Sequence, residues 1–301
     1  MHVLAPAKIN LTLRVAPVGL DGFHPLNSWM VTVGLFDTLT ITPLQPSGIQ
    51  FSCDDGSLPT DDRNLVVRAA KLIEFRTKAR RCAVGSADGI AIHLEKRIPS
   101  AAGLGGGSSD AARALLALNE VWNLGLSREQ LVELAARLGS DVPFFLFGPS
   151  SVCTGRGEIV RPIDPPAVRY AVLIFPGIAM PTARVYAEFD RRRPGKEDAV
   201  NLGPVEQGWA SLSADALLPR LVNDLESPAF LISPELAKLR ADLEVMLTRP
   251  VRMSGSGSTL FTLYDDRDAA EHAARSITGA GTRAATVEIA PQLRDDLTLG
   301  N

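Results

Sequence analysis

Cysteine and histidine are scarce in this chain, which has three cysteines and four histidines among 301 residues. Cys53, Cys82 and Cys153 lie far apart and form no C-x-x-C pair, so we expect free thiols in a reducing compartment. The histidines show no metal-ligand spacing. The sequence therefore predicts neither a disulfide-stabilised scaffold nor a metal centre built from cysteine and histidine.

An excess of basic charge and a long apolar run are also missing. Lysine and arginine number 31 against 34 aspartates and glutamates, which argues against a nucleic-acid-binding surface. The most apolar stretch, residues 171–180, is too short and too interrupted to span a membrane, and no signal-peptide pattern is visible. We expect a cytoplasmic protein, a monomer or weak homodimer, that binds a small molecule and neither nucleic acid nor a membrane.

Glycine, in contrast, is concentrated at one point of the chain. Gly103 and residues 105–107 stand directly before Ser108, Ser109 and Asp110. The residues before this segment alternate like a strand, and the alanine- and leucine-rich run after it predicts a helix. Glycines leave backbone N–H groups accessible, and the first turn of a helix adds a partial positive charge, so this layout favours binding of phosphate.

The glycine-rich segment matches neither of two common nucleotide fingerprints. It lacks the Gly-Lys-Ser/Thr ending of a Walker A motif, and Ser108 occupies the place of the third glycine in G-x-G-x-x-G. A flexible linker is the alternative interpretation, but a linker would not pass directly into a strong helix with serine and aspartate in its first turn. Anion binding is therefore the favoured interpretation.

Two polar segments stand out against apolar surroundings. Lys8 and Asn10 alternate with apolar residues along a predicted strand over residues 8–15, where a solvent-exposed strand face is an equally good explanation. Asp141 follows a predicted helix that ends at Gly139, and the proline two residues later favours an extended conformation before it. The sequence thus places Asp141 at a helix-to-extended corner, either as a functional carboxylate or as a turn residue.

Two loops complete the pattern. Residues 19–24 predict a turn with Phe23 and His24 at its exit. Residues 253–261 form a second small-residue loop that enters a predicted strand. This second loop is either a hairpin turn or a backbone surface packed against the first glycine loop.

Six separated segments carry a shared pattern. They are Ala5–Leu11, Asp21–His24, Pro99–Ala112, Leu138–Phe145, Asn223–Glu226 and Met253–Gly257. Each is weak alone, but their order and spacing extend over most of the chain, and as a set they resemble the GHMP kinases. The resemblance implies an α+β fold: an ATP-binding domain over 1–155, similar to the second domain of ribosomal protein S5, and a ferredoxin-like domain over 156–291. The implied active site lies in the cleft between them, and residues 292–301 remain as a polar tail.

The same resemblance implies a reaction. Segments 5–11 and 138–145 favour the branch of the family that moves the γ-phosphoryl group of ATP to the tertiary 2-hydroxyl of a diphosphocytidyl methylerythritol. This reaction is a step of the non-mevalonate route to isoprenoid precursors. Asp141 is then implied to take the hydroxyl proton, and Lys8 to stabilise the negative charge that develops on the reacting oxygens.

The binding residues so implied form two groups. ATP is assigned to Pro99, Ser100, Ala101, Ala102, Gly103, Leu104, Gly105, Gly106, Gly107, Ser108 and Ser109, with the triphosphate on the loop over 103–109. The second substrate is assigned to Asn10, Phe23, His24 and Tyr186. The rings of Phe23 and Tyr186 are implied to lie on opposite faces of the cytosine. Mg²⁺ is expected with ATP, within reach of the hydroxyl of Ser108 or Ser109, and Asp110 is either a metal ligand or a helix N-terminal residue.

Departures from the family pattern are mild, and two other functions stay open. Phe23 stands where the family often has tyrosine, so one hydroxyl is absent but the ring remains. A kinase for homoserine, mevalonate or a sugar would keep the fold, although residues 21–24 argue against these substrates. A non-catalytic binding protein on the same scaffold is the second alternative, and the presence of both Lys8 and Asp141 argues against it.

Overall fold

Two β-sheets organise the chain, one for each half of the sequence. The structure is a computed structural model, and it describes residues 1–45, 48–81, 89–192 and 208–297. The strands of the first sheet are β1 (His2–Val15), β2 (Leu26–Leu44), β3 (Ile49–Cys53), β4 (Gly89–Glu95), β5 (Ser150–Thr154) and β6 (Ile159–Pro162). They lie in the order β3-β4-β2-β5-β6, with β1 paired to β2, so this sheet continues beyond residue 155.

The second sheet is antiparallel throughout, in the order β10-β7-β9-β8. Its strands are β7 (Tyr170–Phe175), β8 (Arg252–Met253), β9 (Leu260–Tyr264) and β10 (Arg283–Glu288). The described helices are α1 (Leu65–Arg81), α2 (Gly106–Val121), α3 (Arg128–Leu138), α4 (Phe144–Phe147), α5 (Thr182–Arg192), α6 (Ala214–Leu217), α7 (Glu226–Ile232), α8 (Pro234–Leu247) and α9 (Arg267–Gly279). The expected α+β fold is confirmed.

Strand β1 contacts both halves of the molecule. One of its faces is packed in a core that both sheets share, and the other carries polar side chains. Ile9 and Leu11 are buried in a core that also contains Phe261 and Leu263 from the second sheet. The alternation of side chains along a strand turns Lys8 and its even-numbered neighbours to the opposite face. The strand therefore fixes polar side chains at the place where the two sheets meet.

Strand β2 is a single 19-residue strand where the sequence predicts two, over 30–35 and 37–42. Its pairing with β1 shifts between Pro6 and Ala7, which lie opposite Phe36 and Val33. Such a bulge adds residues to one strand and breaks the alternation of buried and exposed positions. The apparent end of a strand in the sequence is therefore a bulge within one.

The predicted helix starts are confirmed, but the corner at Asp141 is not. The sequence Ser127-Arg-Glu-Gln130 predicts a capping box before α3, and the structure has it: Ser127 accepts from the Gln130 amide, and the Gln130 side chain accepts from the Ser127 amide. After α3, the chain makes a turn at Asp141 and enters the short helix α4, with Pro143 in a helical conformation. The prediction of an extended segment is wrong because proline is also well suited to the start of a helix.

The expected polar tail is docked on the first sheet. Its residues Asp295 and Asp296 accept hydrogen bonds from the Leu4 and His2 amides of β1, at 2.9 and 2.6 Å. Asp295 also forms a buried ion pair with Arg113 of helix α2, with the two side chains 5% and 2% exposed. The tail thus joins β1 to the helix that follows the glycine loop, and residues 298–301 lie outside the described residues.

The structure also shows the state of two of the three cysteines. Cys53 and Cys153 are free thiols, as predicted, whereas Cys82 lies outside the described residues. Burial raises the pKa of Cys153 to about 12. Within the described ranges, no helix is both long enough and apolar enough to cross a membrane.

Candidate active site

A cavity of about 630 Å³ lies where β1, the glycine loop, the turn at Asp141 and helix α5 converge. It contains most of the residues that the sequence assigned to ATP, to the second substrate and to catalysis. Those that line it are Lys8, Asn10, Phe23, His24, Pro99, Ser100, Ala101, Ala102, Gly103, Gly105, Gly106, Gly107, Ser108, Asp141 and Tyr186. Residues distant in sequence are therefore brought to one place, although their roles stay predictions.

Lys8 and Asp141 meet in this cavity. The Lys8 side chain is 4% exposed, and its Nζ donates to Asn10 Oδ1 at 2.6 Å and to the Gly103 carbonyl at 3.1 Å. The same Nζ lies 3.5 Å from Asp141 Oδ2, and the Asp141 side chain is 32% exposed. A cation held on three sides thus lies beside a carboxylate that a ligand can reach.

Asn10 holds the lysine rather than facing the cavity with free polar atoms. Its Nδ2 donates to Ser28 Oγ at 2.7 Å, and the Ser28 hydroxyl in turn donates to the Thr12 carbonyl at 2.6 Å. This chain fixes the amide orientation and leaves Oδ1 to accept from Lys8. The assignment of Asn10 to substrate binding stays a prediction, and in the structure both of its side-chain polar atoms have protein partners.

The two glycine-rich loops pack directly on each other. Gly103 has a φ of 77°, and a Cβ at this position would lie 2.2 Å from the Ser254 carbonyl oxygen. The Ser254 hydroxyl donates to the Gly103 carbonyl at 2.9 Å, and the Thr259 amide donates to Ala102 at 3.2 Å. The second loop joins β8 to β9 as a hairpin and also supports the first loop, so both interpretations of it hold.

The first turn of α2 presents the N–H groups that the sequence predicts. Gly105 adopts a left-handed conformation, with φ 68°, as the N-cap of α2. Gly106, Gly107 and Ser108 follow it on the cavity wall, and their N–H groups have no backbone acceptor in the part of the chain that the structure describes. Free N–H groups at a helix N-terminus bind anions, so this turn is suited to phosphate.

Two members of the expected ATP group lie away from the cavity. The Leu104 side chain is buried in the core between the sheets, and its carbonyl accepts from the Lys8 amide at 2.9 Å. Ser109 is fully buried, and its amide already donates to Gly105 at 2.9 Å. The helical repeat turns Ser109 inward, which leaves Ser108 as the serine that faces the cavity.

A buried charge cluster supports the glycine loop and was not found from the sequence. Lys96 forms ion pairs with Asp37 and Asp110, and all three side chains are at most 7% exposed. Asp37 Oδ1 also accepts the amides of Arg97 and Ile98, at 2.6 and 2.9 Å. Burial raises the pKa of Asp110, and the Lys96 ammonium opposes that shift. The cluster fixes the path from β4 to the glycine loop, which no short motif signals.

Apolar residues before and at the start of helix α1, and on strand β4, also line the cavity. The wall there includes Leu58, Pro59, Asn64, Leu65 and Leu94. From the sequence alone, Asn64 is predicted only to cap helix α1, and this role is confirmed, since Asn64 Oδ1 accepts from the Val66 amide at 2.9 Å. The other residues looked like ordinary core, because burial in a core and contact with an apolar ligand select the same residue types.

At one end of the cavity, His24 packs against Tyr186 with ring centroids 4.9 Å apart. The His24 Nδ1 lies 2.8 Å from the Ala16 carbonyl, and Nε2 lies 3.4 Å from Asp190 Oδ2. Both ring nitrogens therefore have protein partners. Burial, with a contribution from the charge of Asp141, raises the pKa of Tyr186 to about 12, so its phenol stays protonated at neutral pH.

Phe23 lies at the mouth of this end and is 47% exposed. The guanidinium of Arg156 covers its ring, with Cζ 4.5 Å from the centroid. Phe23 and Tyr186 both line the cavity, as the sequence predicts, and the stacking of a cytosine between them stays a prediction.

Comparison with known proteins agrees with this fold. The family descriptions "GHMP kinases N terminal domain" and "GHMP kinases C terminal" match residues 64–149 and 208–282. The 4-diphosphocytidyl-2-C-methyl-D-erythritol kinase of Synechococcus sp. (strain CC9902) is 36% identical over 98% of this chain and 98% of its own. The protein of the same name from Exiguobacterium sibiricum is 37% identical, over 92% of this chain and 93% of its own. The chain therefore belongs to the GHMP kinases, a family of small-molecule kinases.

Solved structures place it further within that family. A crystal structure of 4-(cytidine 5'-diphospho)-2C-methyl-D-erythritol kinase is 38% identical, with a TM-score of 0.78 and coverage of 97% of this chain and 100% of that chain. A homoserine kinase from Cytophaga hutchinsonii reaches a TM-score of 0.72 at 19% identity, covering 96% and 94% of the two chains. The second likeness concerns the fold alone.

Proposed function

We propose that this protein transfers the γ-phosphoryl group of ATP to the 2-hydroxyl of 4-diphosphocytidyl-2-C-methyl-D-erythritol, in the methylerythritol phosphate route to isoprenoid precursors. The products are the 2-phosphate and ADP. The observation that carries the proposal is the Lys8–Asp141 pair in one cavity with the free N–H groups of α2. Relatives of that name at 36–38% identity over most of the chain support the substrate.

Asp141 is the proposed general base. A tertiary alcohol is a weak nucleophile, and its proton must leave as the new P–O bond forms. Asp141 accepts that proton, the freed oxygen attacks the γ-phosphorus, and the bond to the β–γ bridging oxygen breaks to release ADP. Asn10 and Gly103 accept two of the Lys8 hydrogen bonds, so the third N–H is left to orient the Asp141 carboxylate. The positive charge of Lys8 also stabilises negative charge on the nearby reacting oxygens.

The ATP triphosphate is proposed to lie against the first turn of α2. The free N–H groups of residues 106–108 and the positive end of the helix favour the β- and γ-phosphates there. The apolar wall formed by Leu58, Pro59, Leu65 and Leu94 continues the same cavity and suits the adenine ring. ATP is therefore proposed to bind at the end of the cavity next to α2, and the second substrate at the end next to Phe23 and Tyr186.

The residues present also fit a magnesium ion bound with the triphosphate. The described residues contain no group of three or more histidine, cysteine, aspartate or glutamate side chains that could hold a metal by themselves. However, Asp110 Oδ1 is buried without a hydrogen-bond partner there, and Ser108 faces the cavity. Mg²⁺ commonly uses one or two carboxylates with phosphate oxygens and water, and it would neutralise part of the triphosphate charge. We propose Asp110 and Ser108 as its protein ligands.

Cytosine is proposed to bind between Phe23 and Tyr186. Stacking on aromatic rings is insensitive to the identity of the base, so discrimination needs hydrogen bonds to the edge of the ring. Both ring nitrogens of His24 have partners in the protein. Its backbone N–H and carbonyl are therefore the preferred groups for recognition of the cytosine edge.

A substrate-dependent kinase assay tests the proposal. ADP release is measured with ATP, Mg²⁺ and the diphosphocytidyl compound, and in parallel with homoserine, mevalonate and galactose. We expect ADP release only with the diphosphocytidyl compound, and its loss in Asp141→Asn. Faster turnover of another alcohol, or ADP release that does not depend on any acceptor, would overturn the proposed substrate.

A further inference from the structure

Arg156 occupies a position in the cavity that none of the roles above uses. It lies in the turn between β5 and β6 and lines the cavity together with Lys8, Asp141 and Tyr186. Its guanidinium is 4.5 Å from the Phe23 ring centroid. No motif in the sequence draws attention to it, because a single arginine in a glycine-containing turn is usually a surface residue.

The turn that carries Arg156 is held on both sides. The Gly155 carbonyl accepts from the Leu26 amide at 2.7 Å, close to the Phe23 end of the cavity. On the other side, a Cβ at Gly157 would lie 3.5 Å from Ser140 and 3.8 Å from Asp141 Oδ1. Arg156 is therefore placed between the proposed cytosine site and the proposed base.

Charge pairing distinguishes Arg156 from the other cations of the cavity. Lys8 is shared among Asn10, Gly103 and Asp141, and Lys96 is paired with two buried aspartates. Arg63 forms hydrogen bonds with both oxygens of Asp61. The Nη atoms of Arg156, in contrast, have no hydrogen bond or ion pair in the described ranges, and only its Nε lies near Glu158, at 3.8 Å.

The order of the chemical groups along the proposed substrate determines which of them lies next to Arg156. A diphosphate joins the cytidine to the methylerythritol, so it must lie between the Phe23 end and Asp141. The carboxylates of Asp141 and Glu158 would repel it there, and Lys8 is already engaged. A planar guanidinium with free Nη donors matches phosphate oxygens in a bidentate manner.

Resting on the proposed function, we propose that Arg156 binds the diphosphate of the cytidine substrate and makes the site selective for a diphosphate over an uncharged nucleoside. In the structure its guanidinium lies over the Phe23 ring. On binding, the Nη atoms turn to the phosphates while the ring remains available to the base. Arg156 thus contributes to substrate affinity and takes no part in proton transfer.

Calorimetric titration with cytidine diphosphate and with cytidine tests this role. The ATP end is first saturated with a non-hydrolysable ATP analogue, so that both probes are confined to the second site. Wild type should bind the diphosphate more tightly than the nucleoside. Arg156→Met should weaken the diphosphate about 10- to 100-fold, the size of a lost charge-assisted hydrogen bond, and cytidine by less than about threefold. Arg156→Lys keeps the charge and should retain part of the preference.

Arg128→Met is the matched control, because Arg128 also covers an aromatic ring, that of Phe147, but does not line the cavity. It should bind both probes like wild type. If Arg156→Met weakens cytidine and cytidine diphosphate by the same factor, Arg156 only shields Phe23 and the inference is wrong. It is also wrong if Arg156→Lys and Arg156→Met both keep the wild-type preference. If the proposed function itself were wrong, the wild-type protein would neither bind cytidine diphosphate nor turn over the substrate, and this result differs from both outcomes above.

Discussion

Lys8 and Phe23 line the same cavity but differ in how the protein holds them. Lys8 is 3% exposed, lies on strand β1, and its ammonium donates to Asn10 on the same strand and to Gly103 in the glycine loop. Phe23 is 47% exposed and lies at the exit of a turn. Its ring is covered by a single side chain, the guanidinium of Arg156. Groups that act on the reacting atoms need fixed geometry, whereas a stacking surface tolerates adjustment. We therefore expect substitutions at the Lys8 end to lower kcat and those at the Phe23 end to raise KM.

The largest effect is expected for Asp141→Asn. The amide keeps the size of the side chain but cannot accept the proton, so kcat should fall by about 10²- to 10⁴-fold. Binding of ATP, measured by calorimetry, should change little. A variant with kcat within about threefold of wild type would remove Asp141 from the role of base.

Lys8→Met should have the next largest effect. It keeps the aliphatic stem and removes the charge that faces Asp141, so kcat should fall by about 10²-fold or more. Lys238→Met is the control, because that lysine forms an exposed ion pair on helix α8. Thermal unfolding of both proteins separates catalysis from folding. A Lys8→Met protein that does not fold would make the lysine structural.

At the other end of the cavity, Phe23→Ala and Tyr186→Ala should act mainly on KM. Loss of one stacked ring should weaken the diphosphocytidyl substrate about 5- to 100-fold. The KM for ATP should not change, because the apolar wall and the first turn of α2 are left intact. Effects confined to ATP would place the cytosine elsewhere.

Gly105→Ala tests whether the glycine loop holds Lys8 in position. Gly105 has a positive φ, and a Cβ there would lie 3.0 Å from Lys8 Cγ and 3.2 Å from Phe145 Cζ. The substitution should therefore shift Lys8 and lower kcat by about tenfold. Gly107→Ala is the matched control, since its Cβ would meet only Leu65, at 3.7 Å. Equal kcat values for the two variants would show that the loop does not position the lysine.

The smallest effect on catalysis is expected for Asp295→Ala, although its effect on stability is large. The change leaves the guanidinium of Arg113 buried without its carboxylate, which costs about 3–5 kcal/mol of unfolding free energy. At a temperature where the variant is folded, kcat should stay within about threefold of wild type. Denaturant unfolding measures the first quantity, and an unchanged midpoint would show that the tail does not stabilise the fold.

The parts of the site that sequence could predict are those with local patterns. The free N–H groups of α2 follow from consecutive glycines before a helix, and the strand of Lys8 follows from alternation. The ion-pair cluster of Lys96, Asp37 and Asp110 could not be predicted, because it joins segments that are distant in sequence and because Lys96 and Asp37 alone look like surface charges.

The tail and the second glycine loop show the same limit. Asp295 belongs to a segment whose composition predicts a solvated end, and only the fold brings it to Arg113. Gly103 is needed for contact with the Ser254 backbone, whereas its sequence context predicts contact with phosphate. Local patterns thus predict conformation well, and they cannot tell which surface, ligand or protein, a loop will meet.

Single-turnover kinetics, with the enzyme concentration well above its Kd for the diphosphocytidyl substrate, separate the roles of the two ends of the cavity. Enzyme in excess over the diphosphocytidyl substrate, with saturating ATP, gives the rate of phosphoryl transfer for wild type, Asp141→Asn and Phe23→Ala. We expect the Phe23→Ala rate to lie within about threefold of wild type and the Asp141→Asn rate to be at least about 10²-fold lower. Equal losses in the two variants would contradict the claim that chemistry and cytosine recognition are carried by separate ends of the cavity.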